Sequence, residues 1–265
     1  MEARHGAAAL PKHPLHAGHD APCSAVPPAR HLEQRLTAEA SHAPKLRVIS
    51  LFEDLEAADL SRIAGLCAIG SHEKHSQIMG EQDLTTDVFF ILAGSVRISS
   101  YTEGGREVIF TEMAAGDIFG EFSAVDRLPR SATIIALSDC VLARMSSARF
   151  LETLNRHADI SVRLIELLVS KTRKMSERVF EVSALAVRER VRRELLRLAA
   201  DGTVFRNGVV IRPAPTHYEI AAHIGSHREA VTREFNRLEA DGIIEVRRRQ
   251  IRIVDIERLK QAEKE

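Results

Sequence analysis

Gly116-Asp-Ile-Phe-Gly-Glu-Phe-Ser-Ala-Val-Asp-Arg-Leu-Pro-Arg-Ser-Ala-Thr133 is the stretch on which the reading of this 265-residue chain turns. It offers a small anionic ligand several kinds of contact. Gly120 has no side chain, so backbone N–H groups can come close to a ligand there. Glu121 can accept a hydrogen bond from a sugar hydroxyl. Phe122–Val125 have the composition of a short helix, whose N-terminus favours an anion. Arg130 can fork onto two phosphate oxygens with charge-assisted bonds. Ser131 and the Ala132 N–H supply further donors.

Outward from this stretch the texture is that of a small β-structure. Val88–Leu92, Val96–Ile98 and Val108–Phe110 are short apolar runs, separated by Gly, Asp and Glu. Short strands with regular turn signals from Ser76 to Met145 predict a β-barrel or jelly roll. The Gly104–Gly105 pair is its best hairpin turn. Ahead of it, Leu51, Phe52, Leu55, Leu60, Ile63 and Leu66 recur at helical intervals. Behind it, Ser147 to Leu185 is again helical. Leu164, Leu168, Thr172, Met175, Val179, Val182 and Ala186 approximate the seam of a coiled coil. A helix of this length carries more apolar stripe than a small barrel needs, which predicts a two-fold homodimer.

The C-terminal part has a different grammar. A helix is expected near Arg188–Ala199 and a short strand at Val209–Arg212. Two helices follow near Thr216–His223 and Arg228–Ala240, and then strands at Ile243–Val246 and Ile251–Val254. This is the order of a winged helix-turn-helix. Gly225 stands where the chain must turn sharply between the two helices. In such a module the second helix enters the major groove and its N-terminal residues face base edges. Arg228 and Arg233 can fork onto guanine O6 and N7, and Glu229 can accept from cytosine N4. Thr232 lies on the same helix. Arg247, Arg248 and Arg249 between the last two strands are placed to touch phosphates.

The cassette stretch resembles the phosphate-binding cassette of cyclic-nucleotide-binding domains. There Phe-Gly-Glu, here Phe119-Gly120-Glu121, precedes a small-residue helix and then Pro-Arg-Ser-Ala-Thr, here residues 129–133. The surrounding elements, from roughly Val48 to Asp255, resemble the cyclic-AMP receptor branch of the Crp/Fnr superfamily. The resemblance implies an α+β fold: an N-terminal cyclic-nucleotide-binding β-roll, a long dimerisation helix and a C-terminal winged helix-turn-helix. It implies domains at residues 46–150, 151–186 and 187–265. Gly120 and Glu121 would then hold the ribose 2′-hydroxyl side of a cyclic nucleotide and Arg130 and Ser131 the cyclic phosphate, with Phe122, Ser123 and Ala132 also in the ligand site. Two adjacent hydroxyl residues on the long helix contact adenine in the family. Met175 and Ser176 stand there in this chain, and Met175 departs from the pattern. The expected regulatory ligand is cAMP, with cGMP as the alternative. A haem-sensing relative would need an axial ligand, for which His72 and His75 are the candidates. A ligand-independent regulator also stays open.

The same resemblance covers the Arg-Glu-x-Val-x-Arg run of the second C-terminal helix. It implies GTGA-type half-sites in an inverted repeat, one turn or ~34 Å apart on duplex DNA. It also implies RNA polymerase as a partner. Thr216, His217, Tyr218 and His227 fall at expected backbone contacts. His227 stands where the family has Ser, and Tyr218 where it has a polar residue.

Net charge looks at first like an objection. Lys+Arg and Asp+Glu are both 37, so the formal charge is zero, whereas nucleic-acid binders usually carry excess base. The balance is a cancellation. Residues 46–150 hold nine basic and fifteen acidic side chains, and residues 185–265 hold seventeen and thirteen. Asymmetry of this kind points to divided labour.

Other classes fall away. No run of ~18 apolar residues predicts a transmembrane span, and the start of the chain does not read as a secretory signal. A cytoplasmic protein is expected. Cys23, Cys67 and Cys140 have no metal or disulfide spacing. Ser-His-Asp order with context, His-Glu-x-x-His and Walker-type loops are missing, so no enzyme is expected. Residues 1–45 are rich in Ala, His and Pro, with six of the 12 histidines at positions 5, 13, 16, 19, 31 and 42. They read as a disordered tail.

Overall fold

The computed structural model describes residues 45–200, 202–205 and 208–261. The expected tail, with its histidines and Cys23, lies outside the described residues except for Lys45. Of the residues read as a helix ahead of the β-structure, only Ala57–Ala64 (α1) are α-helical, after a single 3-10 turn at Ser50–Phe52. Their apolar side chains all the same enter one core: Leu51, Phe52, Leu55, Leu60 and Ile63 are buried.

Eight strands follow. They are β1 (Ala68–His72), β2 (Gln77–Met79), β3 (Val88–Ala93), β4 (Ser95–Tyr101), β5 (Glu107–Ala114), β6 (Ile118–Phe119), β7 (Thr133–Ala136) and β8 (Cys140–Met145). Two four-stranded antiparallel sheets result, in the orders β1-β8-β3-β6 and β2-β7-β4-β5. The expected β-roll is thus present. The period-2 alternation of strands sorts β3 between two cores. Val88 and Phe90 face the helices, while Phe89 stacks on Phe119 at 5.0 Å on the side of the second core. The Gly-Gly hairpin is closed by Thr102 N–H to Arg106 O at 3.0 Å and Gly105 N–H to Thr102 O at 2.8 Å.

The helical stretch after β8 is broken once. α3 (Ser147–Arg156) ends at His157, and α4 (Ala158–Ala184) begins there and runs for 27 residues. The seam read from the sequence divides. Leu164 is buried and Leu168 packs partly against the chain's own core, so the first turns follow the barrel. Val162, Ile165, Val169, Met175, Val179 and Val182 are exposed. The apolar face that remains open is therefore rotated from the expected one at its N-terminal end. Two residues, Leu185, which is extended (φ −102°, ψ 141°), and Ala186, separate α4 from α5 (Val187–Ala200).

The C-terminal sheet is β11-β12-β10-β9, built from β9 (Thr203–Phe205), β10 (Gly208–Ile211), β11 (Ile244–Arg247) and β12 (Gln250–Ile253). Between β10 and β11 stand α6 (His217–His223) and α7 (Arg228–Ala240), and α8 (Ile256–Gln261) closes the chain. Val191, Leu195, Ile220, Val231, Phe235, Leu238, Ile251 and Ile253 form their common core. Within it a buried ion pair ties α5 to α7: Arg192 Nε donates to Glu234 Oε1 at 3.0 Å. Cys67 and Cys140 are free thiols, and burial pushes the Cys67 thiol up to about 12. Among the described residues no helix is long and apolar enough to cross a membrane.

The Arg192–Glu234 pair gives a stability prediction. Its side chains are 3% and 7% exposed, so removing one partner strands a charge in the core. Glu234→Ala should cost about 3–5 kcal/mol, and an apolar double replacement should recover most of it. Urea unfolding of the full chain measures both.

Candidate functional site

The cassette is organised by a left-handed turn. Gly120 has φ +84° and ψ 2° and precedes α2 (Glu121–Asp126). A Cβ there would lie 2.7 Å from Asp87 O and 2.8 Å from Arg130 Nη1. Dihedral and space together exclude any side chain.

Arg130 is 1% exposed. An unpaired guanidinium at that depth would be very costly. Its Nε donates to Thr85 Oγ1 at 3.0 Å, Nη1 to Gly120 O at 3.0 Å and Nη2 to Asp87 O at 2.8 Å. The backbone is held too, by Arg130 N–H to Asp83 O at 2.9 Å. Burial lowers the Arg130 pKa, and Asp87, Asp83 and Glu121 oppose that shift. The three side-chain bonds engage three of the five guanidinium N–H groups. These bonds leave one N–H on each terminal nitrogen uncommitted.

Glu121 does not pair with Arg130. Its Oε1 accepts from Lys171 Nζ of α4 at 2.6 Å, and Glu121 is 4% exposed. Lys171 Nζ also stands 5.9 Å from the centre of the half-exposed Phe122 ring. Ser123 and Ala132 are buried, and Ser131 is exposed at the surface of the turn. Met175 and Ser176 lie one turn beyond Lys171 on α4 and are exposed; the Ser176 hydroxyl bonds back to Thr172 O at 3.0 Å. In a single chain the structure thus brings Gly120, Glu121 and Arg130 together and leaves Met175 and Ser176 facing outward. Lys171, Thr85 and Asp87 escaped the sequence reading. Lys171 carried a signal, four residues before Met175 on the same helical face. Thr85 and Asp87 come from the β2–β3 connection and carried none. His72 ends β1 and His75 lies in the following turn, and no group of three metal-ligating side chains occurs among the described residues.

The second site is the exposed side of α6 and α7. Thr216 caps α6 in a capping box: Glu219 N–H donates to Thr216 Oγ1 at 3.2 Å, and Thr216 N–H to Glu219 Oε2 at 2.9 Å. Gly225 takes φ +61° in the turn, and Ser226 N–H closes it onto Ala221 O at 2.9 Å. His217 is half-buried, with Nδ1 2.9 Å from Thr232 Oγ1 and its ring 4.5 Å from Phe235. Burial and then Arg228 lower the His217 pKa. The side chain locks α6 to α7. His227 is the N-cap of α7 but accepts no capping bond through its side chain. Tyr218, Arg228, Glu229 and Arg233 are exposed, and Thr232 lies beside them in a shallow groove. Arg247 ends β11 and ion-pairs with Glu245 at 3.3 Å; Arg248 and Arg249 form the exposed tip of the wing. Arg249 O accepts from Ala214 N–H at 3.1 Å, which ties the wing to the segment leading into α6.

Comparison with known proteins agrees with this geometry. A family model for the cyclic nucleotide-binding domain matches residues 70–157, and one for the Crp-like helix-turn-helix domain matches residues 189–262. The cAMP-activated global transcriptional regulator Vfr of Pseudomonas aeruginosa is 30% identical over 213 residues, covering 78% of this chain and 94% of Vfr. The cAMP-activated global transcriptional regulator CRP of Haemophilus influenzae is 26% identical over 179 residues, covering 67% of this chain and 80% of that protein. A solved structure of a CooA mutant from Carboxydothermus hydrogenoformans shares the fold. Its TM-score is 0.69 at 20% identity, covering 82% of this chain and 95% of that one. Vfr and CRP are both regulators of transcription. A cyclic nucleotide-binding domain followed by a Crp-like DNA-binding module, in a chain 30% identical to Vfr across most of its length, places this protein in the Crp/Fnr family of transcription regulators.

Proposed function

We propose that the chain is a cytoplasmic, homodimeric regulator gated by a cyclic nucleotide, with cAMP as the ligand. The observation that carries the reading is Arg130: a guanidinium buried beside a glycine turn, with one N–H on each terminal nitrogen uncommitted. A cyclic phosphate needs that pair of donors. Ser131 and the Ala132 N–H add to them. Glu121 offers its carboxylate to a ribose hydroxyl and already touches α4 through Lys171. Ligand arriving at Gly120–Ser123 thus acts on the long helix directly. The names of Vfr and CRP support cAMP. Met175, a weak acceptor where the family has a hydroxyl, makes cGMP the competitor to test.

The exposed stripe of α4 supports the dimer, because a second copy would bury Val162, Ile165, Val169 and Val179 and bring Met175 and Ser176 to the bases. The functional division follows as residues 46–150 for ligand, 151–186 for dimerisation and 187–265 for DNA. Arg228, Glu229, Thr232 and Arg233 read base edges of inverted GTGA-type half-sites. Thr216, His217, Tyr218, His227, Arg247 and Arg248 meet the backbone. RNA polymerase is the partner such a regulator addresses.

Two tests follow. DNA-binding titrations with and without cAMP and cGMP should show tighter DNA binding with one nucleotide, and equally tightened nucleotide binding with DNA. Lack of that reciprocity would refute the gate. Arg130→Leu should weaken nucleotide binding by at least ~2 kcal/mol. It also orphans the acceptors at Thr85, Gly120 and Asp87, so the ligand-free melting temperature should fall as well. Calorimetry showing unchanged affinity would end the cassette reading. Arg228→Ala should lower specific DNA affinity by ~1–3 kcal/mol and relax preference at one guanine. An equal loss on random duplex would argue against base reading.

A further inference from the structure

Helices α6 and α7 are joined by a side-chain bond that ends on the exposed face of α7. His217 Nδ1 of α6 lies 2.9 Å from Thr232 Oγ1 of α7. Thr232 Oγ1 also donates to Arg228 O, four residues back on its own helix, at 3.0 Å. A hydroxyl has one proton, and a carbonyl oxygen only accepts. The Thr232 proton is therefore committed to Arg228 O, and His217 donates to Oγ1 through Nδ1–H. Burial, and then the Arg228 charge, lower the His217 pKa, which favours a neutral ring with a single N–H. Phe235, 1% exposed, holds the imidazole in place from a ring distance of 4.5 Å.

A helical threonine ordinarily divides between two rotamers. Held at its proton and at a lone pair, this hydroxyl has one position, and so has the methyl group on the same Cβ. Thr232 lines a shallow groove with Arg228, Glu229 and Arg233. With the hydroxyl engaged by α6 and by the helix backbone, the branch of Thr232 left for that groove is apolar. In the major groove the apolar group on a base edge is the C5-methyl of thymine, and a threonine methyl is a suitable contact for it.

We propose that the methyl group of Thr232 reads a thymine methyl in the half-site, and that His217 is the positioning residue that turns it there. The proposal rests on α7 being the recognition helix, and it deepens that reading by naming the chemical group recognised.

Uracil in place of thymine removes that methyl and nothing else. The probe is the duplex that the full chain selects, with cAMP and cGMP present, from a library randomised around two inverted GTGA half-sites. Failure to select any duplex would overturn base reading by α7, and this proposal with it. Half-site thymines are then replaced by uracil one at a time, and affinity is read by fluorescence anisotropy. Binding should weaken about fourfold at one position per half-site, the worth of one buried methyl. Equal affinity for thymine and uracil at every position would overturn the methyl contact and leave base reading standing. Thr232→Ser keeps the hydroxyl and should bind both duplexes alike. Thr232→Val carries a methyl in either rotamer and should keep the preference. His217→Ala should lose it, and His217→Asn, whose amide N–H replaces Nδ1–H, should regain it. Thr232→Val should also restore it in the His217→Ala background. A thymine preference that survives Thr232→Ser, or one that survives His217→Ala, would overturn the role given to that residue.

Discussion

The cassette depends on one guanidinium. Arg130 ties together three pieces of backbone that are far apart in sequence: the β2–β3 connection through Thr85 and Asp87, the Gly120 turn, and its own loop. A charge at that depth is tolerable only because each bond is made to a fixed acceptor. The same bonds fix where the remaining N–H groups sit. The structural role and the proposed ligand role of the residue are therefore one arrangement, and the proposed anion site is preorganised before any anion arrives.

Preorganisation at the cassette contrasts with the electrostatics elsewhere. The described chain spreads its opposite charges into separate working regions. The carboxylate-rich roll meets a cation-rich DNA module across the ion pair of Arg97 on β4 with Glu219 on α6, and the long helix meets the cassette across Lys171–Glu121. Both junctions are ionic and only partly buried.

Local signals carried much of this architecture. The Gly-Glu turn and Arg130 spacing, the 102–106 hairpin and the Gly225 turn were all legible, because each is a short-range constraint on backbone or charge. Long-range partners were not. Nothing in the sequence sets Thr85 against Arg130, or Arg97 against Glu219, since those pairs are made by sheet and module packing. The α4 face was read half correctly. The apolar period was right, but Leu164 and Leu168 turned toward the barrel, because the core below them had room that periodicity cannot show. The helix expected around Leu51 became a 3-10 turn for a similar reason: burial was specified and local geometry was not.

Leu185 has a mechanical consequence. With Ala186 it makes a two-residue joint between two well-terminated helices: its N–H closes α4 onto Glu181 O at 3.1 Å, and Ala186 N–H is taken by Glu189 Oε2 at 2.7 Å. Compliance is concentrated there. Helix α5 has 14 residues, or about 21 Å of rigid arm. A turn of about 20° at this joint would sweep the far end of that arm by about 7 Å, more than half the ~12 Å width of a major groove. A small torsional change in this two-residue joint thus has enough leverage to move a reading head in or out of register with its groove.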